Sequence, residues 1–595
     1  MPRLIRFFSI TAASLLLLLG TGHSAASDAD ARFEQIWQDD WAFRLQEFPE
    51  LASRLGDTDR ADQLTDYSDQ ARERRYQFRL DIMQQLSQLD EHDLSPEQRV
   101  NFRIFHNQIR DAIADHETGA AMMPLNSDSG FHTSLTFLPN AQPLRSAEDY
   151  RSYIARLREI PRVFQQQTAL MQRGLETGTT VPAVVLKGRD GAIASHAEVD
   201  SPEDSVFYAP FARLPERFDA ETRQALASEA RKAISEAVIP AYAEFLRFMR
   251  EDYIPGARES LAATELPDGE AFYRAQIQRY TTLDLSAEEI HQIGLEEVER
   301  IRAEMLQVIE DAGFEGSFAE FIEYLRTDPK FYASSEEELL MFARDIAKRA
   351  DGELPRFFGH LPRQPYAVNP VPADIAPTYT AGRYVSAPLD SPRPGQYWVN
   401  TYDLPSRPLY ALPALTLHEA VPGHHLQGAL AAEMGEQPPF RRYSYISAYG
   451  EGWALYTEWL GVEMGIYRTP YEHFGRLTYE MWRAARLVID TGVHAKGWSR
   501  EQSVEFLANN TALSHREVNT EIDRYISWPA QALAYKLGEI RIRELRSEAE
   551  HRLGEQFDIR QFHDTVLELG SVPLDLMIEH VQAWIDHREQ AASEH

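Results

Sequence analysis

The sequence predicts a mainly α protein: a large, bilobed helical fold with a small β-sheet beside the helix that carries its candidate active site. Three observations lead there. Most of the chain repeats apolar residues at three- and four-residue spacing, the mark of helices with one buried face. One stretch, roughly 352–408, breaks that rhythm; it is dense in proline and contains two strand-like runs. A length of 595 residues also exceeds a single simple core, so one two-lobed unit or several domains is expected.

From the N-terminus, MPRLIRFFSITAASLLLLLGTGHSAAS sets Arg3 and Arg6 before an apolar run from Phe7 to Leu19. Ser24 and Ala26 then occupy the −3 and −1 places of a cleavage site. The run is short of the roughly 20 residues that span a bilayer. Residues 1–26 therefore read as a signal peptide, and the mature protein as exported, periplasmic or secreted, with no stable membrane anchor. The composition, 43% hydrophobic and 26% charged, is that of a globular chain. A net charge of −32 argues against nucleic acid and anionic membrane surfaces as partners, since both call for basic patches. With no cysteine there is no disulfide and no lipid-bearing cysteine, and any zinc site must use histidine and carboxylate ligands.

Helical patterns at 32–48, 74–89, 97–116 and 225–251 assign 27–290 to an N-terminal helical lobe. The Gly- and Pro-punctuated run 174–188 reads as a loop directed at the cleft. A further helix over 288–313 follows SAEE (286–289), which has the form of a capping box. The second lobe, 291–595, is expected to hold a small sheet at about 375–402 and the candidate site. TAGRYVSAP (380–388) and GQYWVNTY (395–402) read as its two strands. An edge strand beside a catalytic helix can pair with an extended peptide. GQYWVN, with Tyr397 and Asn400, is the expected substrate-binding strand.

HEAVPGHHLQ (418–427) follows directly. In an H-E-x-x-H helix the two histidines are four residues apart and face one metal, with the glutamate beside it as general base. Here Pro422 stands at the fifth position. On a regular helix His424 would lie about 240° round from His418, and His425 would return to the same face about 10.5 Å further along. Pro422 withdraws a donor and clashes with the preceding turn, and Gly423 lets the backbone bulge. The motif thus reads as stretched, with either His424 or His425 as second ligand. Glu451, 27 residues after His424 in SAYGEGWALYTEWLGVE (447–463), is the expected third ligand. Glu458 falls on the same helical face, where it could orient an imidazole.

HEAVPGHHLQ, EGWALYTE, RLVIDTGVHAKGW and RYISWPAQALAYKLG together resemble the bacterial family called domain of unknown function 885. That family is grouped with zincin-like H-E-x-x-H peptidases. The resemblance covers most of the mature chain, with the sharp motifs after residue 380. It implies a zincin-like fold with one Zn2+ per chain. The Gly-His pair is also similar to the H-E-x-G-H of thimet-oligopeptidase-like and carboxypeptidase-Taq-like enzymes, and to the lengthened H-E-x-x-G-H of dipeptidyl peptidase III. These similarities favour His424 over His425 beside His418 and Glu451.

Amide hydrolysis also needs a base and a donor to the developing oxyanion. Glu419 fits the base; His494, Tyr525 and Tyr535 are the candidate donors. Arg486, Arg524 and Lys536 are candidates for a substrate carboxylate. The leading expectation is an exported zinc metallopeptidase acting on short peptides. A zinc hydrolase of a non-peptide amide or ester, and a metal-free binding protein on the same scaffold, are the alternatives.

Overall fold

Amphipathic runs become long helices, and a serine accepting a backbone N–H in the first turn opens several of them, at Ser68, Ser95, Ser146, Ser286 and Ser335. Ahead of the sheet the main ones are α1 (Gly22–Glu47), α2 (Asp69–Leu86), α3 (Pro96–Glu117), α4 (Ala147–Thr177), α5 (Ala287–Asp311) and α6 (Glu336–Phe357). SAEE forms its capping box at the start of α5. Ser286 Oγ accepts from Glu289 N–H at 3.2 Å, and the Glu289 carboxylate accepts from Ser286 N–H at 2.8 Å. The computed structural model describes residues 22–373, 375–388 and 392–593. The expected leader lies outside them except for 22–26, which open α1.

Helical rhythm ceases where proline becomes dense, and three strands form: β1 (Tyr366–Pro370), β2 (Gly382–Val385) and β3 (Gly395–Val399). The sheet order is β1-β3-β2, with β1 parallel and β2 antiparallel to β3. This corrects the expectation for GQYWVN. It is the central strand, with neighbours on both sides, and has no free edge to offer a peptide. β2 is the edge. β1 was not foreseen, because YAVNP is too short and too proline-bounded to show alternation.

Behind the sheet come α7 (Leu412–Glu419), α8 (His424–Glu433), α9 (Ser447–Leu460), α10 (Pro470–Lys496), α11 (His515–Ser527), α12 (Ala534–Leu553) and α13 (Leu574–Ser593). α10 lies along α5, and α9 along α12. At the second crossing the backbones nearly touch. A Cβ on Gly538 would stand 2.0 Å from the Ala448 carbonyl oxygen, and one on Gly452 2.5 Å from Gly538 Cα. Glycine is the side chain that fits there.

The expected lobe boundary at 290/291 falls inside α5. Each large apolar cluster also draws on both sides of it: Tyr153 and Tyr242 pack in one cluster with Trp482 and Tyr525, and Phe33 and Ile104 in another with Trp453 and Ile585. Among the described residues no helix is long and apolar enough to cross a membrane.

Candidate metal centre

The stretched motif breaks the helix at the place its composition dictates. α7 ends at Glu419 and α8 begins at His424. Between them Ala420 (φ −95°, ψ −111°) and Gly423 (φ −75°, ψ −132°) fold the chain back on itself, and the Val421–Pro422 peptide is cis. A Cβ on Gly423 would lie 2.0 Å from the His418 carbonyl oxygen and 2.3 Å from that of Leu417. The turn can close this tightly only with glycine. α9 holds it from behind: Trp453 Nε1 donates to the Pro422 carbonyl at 2.9 Å, and Thr457 Oγ1 to the Leu417 carbonyl at 3.1 Å.

The fold-back brings together two imidazoles that a straight helix would point apart. His418 Nε2 and His424 Nε2 each lie 3.4 Å from the same oxygen, Glu451 Oε2, with the two rings almost perpendicular at 89°. One ligand atom from each of the three lies within 4.8 Å of the others. Tetrahedral zinc with bonds of about 2.0–2.2 Å separates its ligands by roughly 3.3–3.6 Å. Charge-assisted hydrogen bonds run at about 2.7–2.9 Å. The 3.4 Å spacings therefore suit ligands arranged round an ion better than directly bonded pairs. The donor set, two imidazole nitrogens and one carboxylate, is also one that zinc accepts.

His418 has a true hydrogen bond on its other nitrogen. Its Nδ1 lies 2.8 Å from Glu458 Oε1, deep inside the protein, and Arg483 Nη2 approaches the same oxygen at 3.6 Å. A carboxylate on Nδ1 fixes the tautomer and aims Nε2 at the site. Burial opposes charge on His418, but the carboxylates of Glu451 and Glu458 beside it win and raise its pKa to about 10. Burial likewise works against ionised Glu451, yet the adjacent His424 and His418 hold its carboxyl well below the usual range.

Glu419 lines the cleft next to this group, and its carboxylate accepts from the backbone N–H of Tyr384 on β2 at 2.7 Å. His425 is turned away from the other two histidines. It is buried against the sheet, with its ring 4.7 Å from that of Tyr366 and its Nδ1 3.2 Å from Tyr384 Oη, and burial lowers its pKa to about 4. Sequence reasoning missed Tyr445. Its ring faces the open cleft and its hydroxyl donates to Glu451 Oε1 at 3.1 Å. The available signal was Gly450, whose missing Cβ makes room for that hydroxyl at 2.4 Å.

The cleft holds about 2380 Å³, and its walls include β2, the histidine pair, the start of α9 and the faces of α10 and α11. Leu186 and Gly188, from the punctuated run 174–188, also line it. Several expected site residues lie elsewhere, each for a visible reason. His494 is fully buried, with Nδ1 against Ala263 N–H at 3.2 Å and Nε2 against the Tyr525 carbonyl at 2.9 Å, so both nitrogens serve the backbone. The Tyr525 hydroxyl is enclosed by Trp482, Arg486 and Glu521. Lys536 is sealed in an ionic cluster with Glu297, Glu480 and Glu539 at 2.7–3.0 Å. Tyr397 is buried against Thr416, and Asn400 is spent on the carbonyls of Ala376, Tyr379 and Thr380. Tyr535, Arg486 and Arg524 do line the cleft.

Residues 49–581 match the family model described as "Bacterial protein of unknown function (DUF885)". The chain belongs to that family. No curated protein matches it. Among solved structures, the chain is similar to the "putative lipoprotein" from Colwellia psychrerythraea. The two are 28% identical with a TM-score of 0.86, covering 95% of this chain and 100% of that one. It also shares its fold with the "putative lipoprotein of unknown function" from Shewanella oneidensis, at 19% identity and a TM-score of 0.70 over 92% of this chain and 99% of that one. The family description assigns no activity to its members.

Proposed function

We propose that this protein is an exported zinc-dependent peptidase on a zincin-like scaffold, with short peptides as its substrates. The observation that carries the reading is the convergence of His418, His424 and Glu451 on one point at ligand spacing, with Glu458 behind His418 and Glu419 beside the group. Export rests on the leader-like sequence of residues 1–26. Zinc held there would supply Lewis acidity and make water a nucleophile near neutral pH.

The chain's own groups divide the remaining work. Glu419, anchored by the Tyr384 N–H, takes the proton of the attacking water and passes it to the departing amine. Tyr445 stands on the open side of Glu451, where its hydroxyl can turn to the oxygen that gains charge in the transition state. Glu458 carries no step; it keeps Nε2 of His418 on target. A cleft of about 2380 Å³ accommodates an extended peptide but not a folded domain.

The test is hydrolysis of a mixed library of short peptides by the purified protein, read by mass spectrometry. Cleavage by wild type that stops with a zinc chelator, returns with zinc and falls about 10²–10⁴-fold in Glu419→Gln is expected. Cleavage that persists undiminished in Glu419→Gln removes the base assignment. Ester or non-peptide amide turnover with no peptide cleavage would reassign the substrate.

A further inference from the structure

The chain carries −32 overall, yet the cleft wall made by α10 and α11 is basic. Arg483, Arg486, Arg516 and Arg524 line it, opposed by Glu517 and Glu521. Burial and the neighbouring charge of Glu521 push the Glu517 carboxyl up to about 7, so near neutrality its opposition is partial.

Two of these guanidinium groups are built into the wall. Arg486 is 2% exposed. Its Nε donates to Tyr525 Oη at 2.8 Å and its Nη2 to Glu521 at 2.9 Å, and its plane lies over Tyr535 and Trp482 at 4.3 and 4.5 Å. Nη1 has no hydrogen-bond partner among the described residues. Arg483, 5% exposed, lies over Trp482 at 4.3 Å and Tyr479 at 4.7 Å, and its Nε is likewise unpartnered. A buried cationic N–H without an acceptor is costly. A guanidinium fixed on three sides is matched to a carboxylate on the fourth.

Position gives this pair its meaning. Arg483 reaches Glu458, the residue behind His418, at 3.6 Å. Arg486 is three residues further along α10, about 4.5 Å by helical rise. The basic wall therefore starts immediately behind the metal group.

We infer that Arg486 and Arg483, against Trp482 and Tyr535, form a carboxylate subsite that receives the free C-terminus of a peptide, which is then cleaved close to that end. This rests on the peptidase reading above. An Asp or Glu side chain offers the same chemistry, so the experiment separates the two sources.

Three peptides of one length are compared on the zinc-loaded protein: a non-acidic peptide with a free C-terminus, its C-terminal amide, and the amide with one internal Glu. Cleavage is followed in wild type and binding by calorimetry in Glu419→Gln. The free acid is expected to exceed its amide by about 10–100-fold in kcat/KM and in affinity, the range of a charged hydrogen bond. The gap should close in Arg486→Met and partly return in Arg486→Lys. Acid and amide performing alike in wild type overturns the subsite, whatever the variants do, so a misfolded Arg486 variant leaves the test intact. An internal-Glu amide that matches the free acid overturns the C-terminal assignment. Acid-selective binding without cleavage of any peptide keeps the subsite and removes the peptidase reading.

Discussion

Glu458 illustrates how a residue remote from the cleft can govern it. Its carboxylate is buried, bonded to His418 Nδ1 at 2.8 Å, and one of its oxygens has no hydrogen-bond partner among the described residues. Glu458→Gln keeps the shape but weakens the pull on the imidazole. It should lower zinc affinity by about 10–100-fold, as measured by competition with a chromogenic chelator. Unchanged affinity would mean that His418 needs no such support. Tyr445→Phe removes one hydroxyl from the open side of Glu451. With bound zinc unaltered, kcat should fall by about 10²–10³-fold if that hydroxyl meets the oxyanion. Much of this residue-level pattern was legible, because histidine and glutamate at these intervals narrow the choices severely. Tyr445 was not, because it reaches Glu451 from a loop whose path no periodicity encodes. His494 and Lys536, expected as an oxyanion donor and a carboxylate binder, are each satisfied by partners distant in sequence, Ala263 and Tyr525 for one and Glu297 and Glu480 for the other.

Among the elements, the broken helix α7–α8 matters most. The Pro-Gly pair announced that it would break, yet the direction of the fold-back depends on contacts from α9 that lie 31 and 40 residues away. Gly423→Ala would set a methyl group 2.0 Å from the His418 carbonyl. The turn must open, which should cost about 3 kcal/mol or more and separate the two imidazoles. Thermal melting and zinc titration of that variant should show both losses together; retention of full zinc affinity would show that the turn does not set the site. Gly538→Ala tests the support beneath. Its Cβ would press on the Ala448 carbonyl at 2.0 Å and lever α9, with Glu451 and Glu458, away from α12. The sheet tells a related story. Two of its strands were readable from composition, but their order was not. Strand order depends on β1, whose pairing partner lies beyond a proline-rich excursion.

At the scale of the molecule, the helical class followed from periodicity, whereas the division at residue 290 did not survive as a division of the core. Helix α5 spans it, and the major apolar clusters join residues from both sides. Residues 291–595 expressed alone should therefore expose apolar surface, binding a hydrophobic dye and lacking a sharp thermal transition; a cooperative melt would show that this half holds its own core. The His418–His424–Glu451 group sits in α7–α9, and its cleft takes walls from Leu186 and Gly188 as well as from α10 and α11. Site and whole fold are thus coupled. The most direct test of the account is the zinc content of the purified protein by elemental analysis, for wild type, His424→Ala and His425→Ala. About one zinc per chain in wild type, lost in His424→Ala and kept in His425→Ala, is the predicted result. A wild-type protein that takes up no zinc when supplied with it, or one that keeps its zinc in His424→Ala, would contradict it.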